Sequence, residues 1–232
     1  GPQGVLLGFA ISCLIYAQRI YRAIKKTEIK FGLIKEKSGF IFNNYLVDLT
    51  AQLNGQMDKL IIGPIFGFAI LGNYYLALQI LNLLAILPEV VSQYTIPQDA
   101  SGSSTKKIKI ITVITATVLA IITIFTAPII IPILFPEFEE AIDLIPIIAI
   151  SIIPITISYH YISKFLGIEK TRIVLISYLI EIVILIPGVI ILGELMGIIG
   201  LGIIFVISTI AKACFLTIMN YYFKYQNISK NN

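Results

Sequence analysis

Residues 43–64, NNYLVDLTAQLNGQMDKLIIGP, place a series of amide and charged side chains within one helix-length segment. The rest of the chain is apolar, because 57% of its 232 residues are hydrophobic and only 13% are charged. In soluble domains about 25% of residues are charged. Apolar runs of about 20 residues, each long enough to cross a bilayer, recur along the chain. The sequence therefore predicts an all-α polytopic membrane helix bundle that contains one unusually polar helix.

We predict about seven transmembrane helices, joined by short loops. Residues 1–20 hold the first helix, residues 21–39 form an amphipathic cytoplasmic linker, residues 40–222 form a bundle of six helices, and residues 223–232 form a cytoplasmic tail. The predicted spans cover residues 3–20, 40–62, 71–96, 109–134, 142–164, 172–192 and 197–222.

The basic residues are confined to alternate loops. All of the 17 Lys and Arg residues except Lys59 and Lys212 fall in residues 19–37, 97–109, 164–172 and the C-terminal tail. Because basic loops stay in the cytoplasm, the N-terminus of this segment is predicted outside and the C-terminus inside, in the cell membrane. The basic loops either serve this retention alone or also bind anionic lipid head groups of the cytoplasmic leaflet.

The segment 43–64 is amphipathic when it is drawn as a helix at about 100° per residue. Leucines and Met57 occupy one face, and the amide and charged side chains occupy the other. In a bilayer an unpartnered polar group is costly, so the polar face must meet a water-filled cavity or another polar surface. That face consists of Asn44, Asp48, Gln52 and Gln56, flanked by Asn54, Asp58 and Lys59.

The next predicted helix supplies a matching polar stripe. Tyr75, Gln79, Asn82, Glu89 and Gln93 lie on one side of it. Because the connection between the two helices is short, they are predicted to be antiparallel neighbours whose polar faces point into one hydrated cavity. The alternative is a static polar network that holds the bundle together.

Carboxylates recur at a similar depth in these helices. Asp48 and Glu89 are predicted on the order of 10 Å into the membrane, where two like charges repel, so at least one is expected to hold a proton. Glu181 and Lys212 reach a similar depth, and either pair with each other or leave Lys212 to neutralise Asp48 and Glu89. The predicted substrate or ion pathway comprises Asp48, Gln52, Asn54, Asp58, Lys59, Tyr75, Gln79, Asn82, Glu89, Glu181 and Lys212.

The sequence offers no sign of catalytic machinery. It has no nucleotide-binding loop, no metal-ligand spacing and no nucleophile arrangement, and Cys13 and Cys214 both lie in apolar segments. We therefore expect no cofactor, no metal and no nucleic-acid partner, and a transporter fits better than an enzyme.

The run DKLIIGPIFGFAILGNYY, residues 58–75, resembles the polysaccharide transporters and oligosaccharide flippases of the superfamily that also includes the multidrug extruders and the lipid II flippases. The resemblance rests there on an acidic residue followed by spaced glycines and a tyrosine, and then on further stretches along the chain. These are Asp58, Gly63, Gly67, Gly72, Tyr74, Pro97, FPEFEEAIDLI at 135–145, GIEKTR at 167–172 and the glycine-rich stretch 186–203.

The resemblance implies two bundles of six helices, of which this chain would supply the sixth helix, the linker and the second bundle, while the first bundle would belong to the same protein. It implies that a polyprenyl-diphosphate-linked oligosaccharide is reoriented from the cytoplasmic to the outer leaflet by alternating access among the membrane lipids. An H+ or Na+ gradient could drive this step through Asp48, Glu89 or Glu181. An anionic diphosphate favours cationic residues, and this half offers only Lys59 and Lys212.

Three other functions are weighed against the flippase. A carboxylate-lined cavity also suits a cation-coupled multidrug or metabolite extruder of the same superfamily. A membrane-embedded glycosyl-transfer or polymerising enzyme is disfavoured, because the chain lacks large outer loops rich in acidic residues and Arg. The last alternative is a structural half-transporter that is inactive alone.

Overall fold

The computed structural model of the protein describes residues 2–26, 32 and 38–229, and the regular secondary structure within these ranges is α-helical. This confirms the predicted all-α fold. The helices are α1 (Pro2–Lys26), α2 (Ser38–Phe66), α3 (Phe68–Ala100), α4 (Lys106–Leu134), α5 (Ala141–Ile150), α6 (Ile152–Gly167) and α7 (Thr171–Ser229).

The chain divides into two compact units, residues 1–42 and residues 43–232. The first unit contains α1, which continues to Lys26 and so extends beyond the predicted first span. Most of the predicted amphipathic linker, and the end of the predicted tail, lie outside the described residues. The second unit contains the rest of α2 and all of α3 to α7.

A single residue separates α2 from α3. Gly67 has φ of 91°, a left-handed conformation that glycine adopts without steric cost. Its N–H donates to the Gly63 carbonyl at 3.0 Å, and its own carbonyl accepts from the Leu71 N–H at 3.2 Å. The two helices are therefore longer than predicted and meet at Gly67, where the chain reverses.

The predicted helix 142–164 is broken at Ser151 into α5 and α6. Pro154 has no N–H, so it cannot complete the helical hydrogen bond to the carbonyl of Ile150. The helix forms a tighter, 3₁₀-type turn there, because the Ser151 N–H donates to the Ile148 carbonyl, three residues back, at 2.9 Å. The interruption is local, because Ser151 keeps helical φ and ψ of −62° and −19° and residues 141–167 remain one stretch long enough to cross the membrane, as predicted.

Helix α7 bends sharply at Gly197, which has φ of 60° and ψ of −140°. The two arms fold back on each other, and they correspond to the predicted helices 172–192 and 197–222. Glycine permits their close approach, because a Cβ added at Gly188 would lie 2.1 Å from Cγ1 of Ile204. The bend makes α7 a helical hairpin.

Four stretches of the described residues are long and apolar enough to cross a membrane: residues 68–100, 106–134, 141–167 and 171–223. The last of them contains both arms of α7. Neither α1 nor α2 is among the four, and the amide and charged side chains of α2 lower its hydropathy. The chain is thus a multi-pass membrane protein, while the number of seven spans stays a prediction.

The core of the second unit lies where α3, α5 and α7 meet. Tyr74, Leu144, Ile148 and Leu201 are almost fully buried there. By contrast, α4 presents large apolar side chains such as Phe125 and Ile133 on its outer surface. A helix with one packed side and one exposed apolar side is typical of a bundle that faces lipid.

Candidate functional site

A cavity of about 560 Å³ lies between α2, α3, α6 and α7. The polar stripes of α2 and α3 both contribute to it, so the two faces do share one space. Of the predicted pathway residues, the structure brings together Gln52, Asn54, Asp58, Lys59, Tyr75, Gln79, Asn82, Glu89, Glu181 and Lys212. Their participation in transport stays a prediction.

Asp48 is the predicted pathway residue that does not line this cavity. Its side chain is exposed, on the turn of α2 that precedes the first lining residue, Ala51. Four residues advance a helix slightly more than one turn, so a stripe at i, i+4 drifts by about 40° per step. The drift moves Asp48 away from the direction of Gln56, and only the later part of the stripe faces the cavity.

Asp58 joins α2 to α3 at the wall of the cavity. It is only 2% exposed. Its Oδ2 accepts a hydrogen bond from the Tyr74 hydroxyl at 2.8 Å, and its Oδ1 accepts from the Lys59 N–H at 2.8 Å. The Lys59 ammonium lies 3.5 Å from Oδ1 and also donates to the Gly55 carbonyl. This carboxylate is fully partnered, as a structural residue would be.

Glu181 and Lys212 form a buried ion pair across the hairpin of α7. The Lys212 ammonium lies 2.7 Å from Oε2 of Glu181, and the two residues are 8% and 4% exposed. The side-chain amide of Asn54 in α2 donates to the same oxygen. The Lys212 ammonium also lies 5.1 Å from the ring centre of Tyr178. The sequence left open whether Lys212 pairs with Glu181 or neutralises Asp48 and Glu89. In the structure, Lys212 pairs with Glu181.

Other polar groups of the lining have no such partners. The side chains of Gln52, Gln56, Gln79 and Asn82 make no hydrogen bond among the described residues, and all four are exposed to the cavity. Oδ1 of Asn54 is buried and also lacks a partner within the part of the chain that the structure describes. A static network accounts for Asp58 and Glu181, but it leaves these amides open to water or a ligand.

Sequence reasoning missed the contribution of α6 and part of that of α7. Ser158 and Tyr159 of α6 and Tyr178 and Thr209 of α7 line the cavity. The predicted fifth helix carries a polar face of serines, a threonine and tyrosines that was not among the predicted pathway residues. A helical-wheel comparison over this segment would have found Ser158 and Tyr159, which follow Ile155 at helical spacing.

The described residues contain no group of three or more His, Cys, Asp and Glu side chains placed to hold a metal ion. The geometry therefore offers hydrogen-bonding amides, two lysine–carboxylate pairs and aromatic hydroxyls. Such a lining can bind a hydroxyl-rich or anionic solute.

A protein-family model described as polysaccharide biosynthesis protein matches residues 3–145. The chain belongs to this family. The match covers more than half of the chain and includes α2 and α3, hence the two polar stripes of the cavity, and it ends before α6 and α7. A search of curated proteins and a search of solved structures each found no match.

Family membership confirms the relationship expected from residues 58–75 and identifies the chain as a polysaccharide-related membrane transporter rather than an enzyme. Its membrane helices agree with that assignment.

Proposed function

We propose that this transporter flips a polyprenyl-diphosphate-linked oligosaccharide from the cytoplasmic to the outer leaflet by alternating access. The observation that carries the proposal is the set of unpartnered amides in the cavity, Gln52, Gln56, Gln79 and Asn82. An amide presents both a donor and an acceptor, as does each hydroxyl of a sugar. A sugar can therefore replace the water that these groups would otherwise bind, while its lipid tail stays in the membrane.

The diphosphate group requires a cation, and each lysine of the cavity is held by a carboxylate. Lys59 contacts Asp58 at 3.5 Å, and Lys212 contacts Glu181 at 2.7 Å. A proton that arrives at Glu181 would remove its negative charge and free Lys212 to donate to a diphosphate oxygen. We propose that proton binding at Glu181 is coupled to substrate binding in this way.

Proton coupling fits this position better than Na+ coupling. An ammonium 2.7 Å from the Glu181 carboxylate repels a second cation at the same oxygen. A proton avoids that repulsion because it neutralises the carboxylate that it binds. Asp48 and Glu89 remain alternative proton acceptors, since neither has a lysine partner among the described residues.

The assembly is part of the same proposal. Residues 40–222 would form the second bundle of a two-bundle transporter, and α1 with the linker would lead from a first bundle of the same protein. The one-sided distribution of basic residues supports a cytoplasmic C-terminus and an outer N-terminus for this segment in the cell membrane.

The test uses the full-length natural protein in liposomes that carry a fluorescent polyprenyl-diphosphate sugar. A membrane-impermeant glycosidase reports the fraction of sugar in the outer leaflet. We expect equilibration with the protein, and slower equilibration for a Gln79→Ala, Asn82→Ala double variant. The matched control is Leu83→Ala, on the exposed apolar side of the same helix. A folded protein that moves no lipid-linked sugar would refute the proposal.

A second candidate is a cation-coupled multidrug or metabolite extruder, and the exposed carboxylates Asp48 and Glu89 favour it. Cationic-dye efflux from cells that contain the full-length protein tests this function. Efflux that collapses with Glu89→Gln, which changes a carboxylate of the cavity lining, would favour the extruder, whereas efflux that does not respond to this change would count against it.

A further inference from the structure

A second cavity, of about 800 Å³, lies on the opposite side of α6 from the transport cavity. Residues of α6 alternate between the two spaces. Ser158 and Tyr159 line the first cavity, whereas His160, Tyr161 and Lys164 line the second, and no residue lines both. The second cavity is therefore a separate space, with α6 as the wall between them.

One end of this second cavity is cationic. Lys106, Lys109 and Lys164 line it together with a single carboxylate, Asp99. That carboxylate lies 2.5 Å from the Lys109 ammonium and also accepts hydrogen bonds from Thr105 and Ser163. Asp99 is thus occupied by Lys109, and the Lys106 side chain is exposed with no carboxylate partner among the described residues. The Lys164 ammonium donates to the side-chain oxygen of Asn220 at 2.6 Å, so Lys106 is the lysine here whose charge has no carboxylate partner among the described residues.

The polar groups beside the lysines also have unfilled hydrogen-bonding positions. Thr105 precedes the first turn of α4, but its hydroxyl donates to Asp99 at 2.7 Å and does not cap the helix. His160 is 7% exposed, and its Nε2 lies 3.0 Å from the Lys109 carbonyl, which can only accept, so Nε2 carries the proton. Its buried Nδ1 has no partner within the described part of the chain. An uncapped helix start therefore borders the lysines. The unpartnered Nδ1 is an acceptor, so it is open to a hydroxyl donor and not to a phosphate oxygen.

The other end of the same cavity is apolar and opens toward lipid. Ile110, Val113, Ile114 and Ile157 line it. Ile110 and Ile114 are 60% and 58% exposed on the outer side of α4, the helix whose apolar surface faces the membrane. A single continuous space thus joins a positively charged head to an apolar strip along a membrane helix.

We propose that this cavity binds an anionic phospholipid, with its phosphate beside Lys106 and the start of α4 and its acyl chains along Ile110 and Ile114. The basic end coincides with the end of the bundle that charge distribution places in the cytoplasm, where the anionic lipids of that leaflet would supply the ligand. The site is distinct from the substrate path, because α6 separates the two cavities.

The bound lipid would brace three helices at once. The cavity is bordered by α3 through Asp99, by α4 through Lys106 and by α6 through Lys164. When the lipid phosphate contacts Lys106 and the acyl chains cover Ile114, the lipid links the start of α4 to the region where α4 packs against α6. Lipid binding should therefore raise the thermal stability of the protein as well as show headgroup preference.

The experiment titrates the purified full-length protein, in a neutral detergent, with phosphatidylglycerol or with phosphatidylcholine. Native mass spectrometry counts retained lipid, and the thermal midpoint is measured in parallel. The variant is Lys106→Gln, and the matched control is Lys107→Gln, which removes the same charge from the same turn but from a residue outside the cavity lining. Glycerol phosphate and inorganic phosphate distinguish a lipid site from a site for a free phosphate.

We expect selective retention of phosphatidylglycerol, weakened about fivefold by Lys106→Gln and unchanged by Lys107→Gln, in line with the effect of one basic residue near a membrane surface. Equal weakening by both variants would mean diffuse attraction to a basic surface and would overturn the proposal. Retention of both lipids alike, or full competition by the free phosphates, would also overturn it.

A photoactivatable phosphatidylglycerol provides an independent reading of the position. Its adducts should map to the segment around Ile110 and Ile114, and adducts confined to other helices would contradict the assignment of the acyl chains.

Discussion

Glu181 and Lys212, 31 residues apart in sequence, form a 2.7 Å ion pair that closes the two arms of α7, and Asn54 of α2 donates to the same carboxylate oxygen. Because both residues are more than nine-tenths buried, the charge of each one is stabilised by the opposite charge of the other. This pair is at once a polar link across the hairpin and the proposed coupling site, so its structural role and its proposed transport role need separate tests.

The structural role is tested by a double-mutant cycle. Lys212→Met leaves the Glu181 carboxylate buried without its partner, and we expect a loss of about 3–5 kcal/mol in the free energy of unfolding. A Lys212→Met, Glu181→Leu double variant should recover most of this loss, because no buried charge is then left unpaired. Denaturation in detergent micelles compares the wild type, the single variants Lys212→Met and Glu181→Leu, and the double variant, and strictly additive effects would contradict the coupling.

The coupling role is tested with Glu181→Gln, which keeps the size and an acceptor oxygen but cannot exchange a proton near neutral pH. We expect lipid-linked sugar transport to lose its dependence on an imposed pH gradient across the liposome. Glu137→Gln, in the exposed loop after α4, is the charge-matched control and should keep the dependence. If Glu181→Gln remained gradient-driven while Glu89→Gln did not, the proton site would be Glu89 instead.

The Asp58 contact predicts different effects for adjacent tyrosines. Tyr74→Phe removes the hydroxyl that donates to the buried carboxylate, and should cost about 1–3 kcal/mol of stability. Tyr75→Phe changes a half-exposed side chain that lines the cavity, so stability should be nearly unchanged. Thermal unfolding of both variants measures the difference, and equal losses would argue against a stabilising Tyr74–Asp58 bond.

The hairpin of α7 depends on a glycine at its closest approach. Gly188→Ala would place a Cβ 2.1 Å from Ile204, and relief of that overlap should cost about 1–3 kcal/mol. The control is Gly39→Ala in α2, where an added Cβ meets nothing within 4 Å and the helix should gain slightly. Ile204→Ala removes the overlapping atoms but also empties part of the core, so the test is a double-mutant cycle in the same unfolding assay. Gly188→Ala should cost much less in the Ile204→Ala background, and an unchanged cost would point to a different cause.

Water access to the cavity is tested by cysteine labelling after Cys13 and Cys214 have been replaced by Ala. A cysteine at Gln79 should react rapidly with a small charged thiol reagent, because this side chain faces the polar cavity. A cysteine at Leu83, which is 67% exposed on the apolar side of α3, should react slowly once it faces lipid. Equal rates in liposomes would show that the cavity is not hydrated.

The sequence predicted the helical membrane fold because apolar runs of spanning length do not depend on tertiary context. It also predicted the shared cavity of α2 and α3, since each stripe has a helical period and the connection at Gly67 is too short to let the helices separate. The position of Asp48 was not predictable with the same accuracy, because a small angular drift along α2 decides whether its carboxylate reaches the lining.

Pairings between distant segments needed the structure. Nothing in the sequence distinguishes a Lys212–Glu181 pair from a Lys212–Glu89 pair, because depth alone fits both, and the choice depends on the bend at Gly197. The local interruption at Ser151 was in principle readable from Pro154, because prolines in membrane helices often produce a kink without ending the span. The second cavity combines residues of α3, α4, α6 and α7, and therefore has no signature in any one segment.

Because α6 is the common wall of two cavities, ligands that displace it in either cavity would be thermodynamically linked. Any ligand that shifts α6 toward one cavity enlarges the other, and reciprocity requires that the occupant of the second space change the affinity of the first by the same factor. Ser151 keeps helical φ and ψ of −62° and −19°, so α5 and α6 form one span and a shift of α6 would be carried along it. With the proposed lipid in the second cavity, the composition of the surrounding bilayer would act as an effector of the proposed transport.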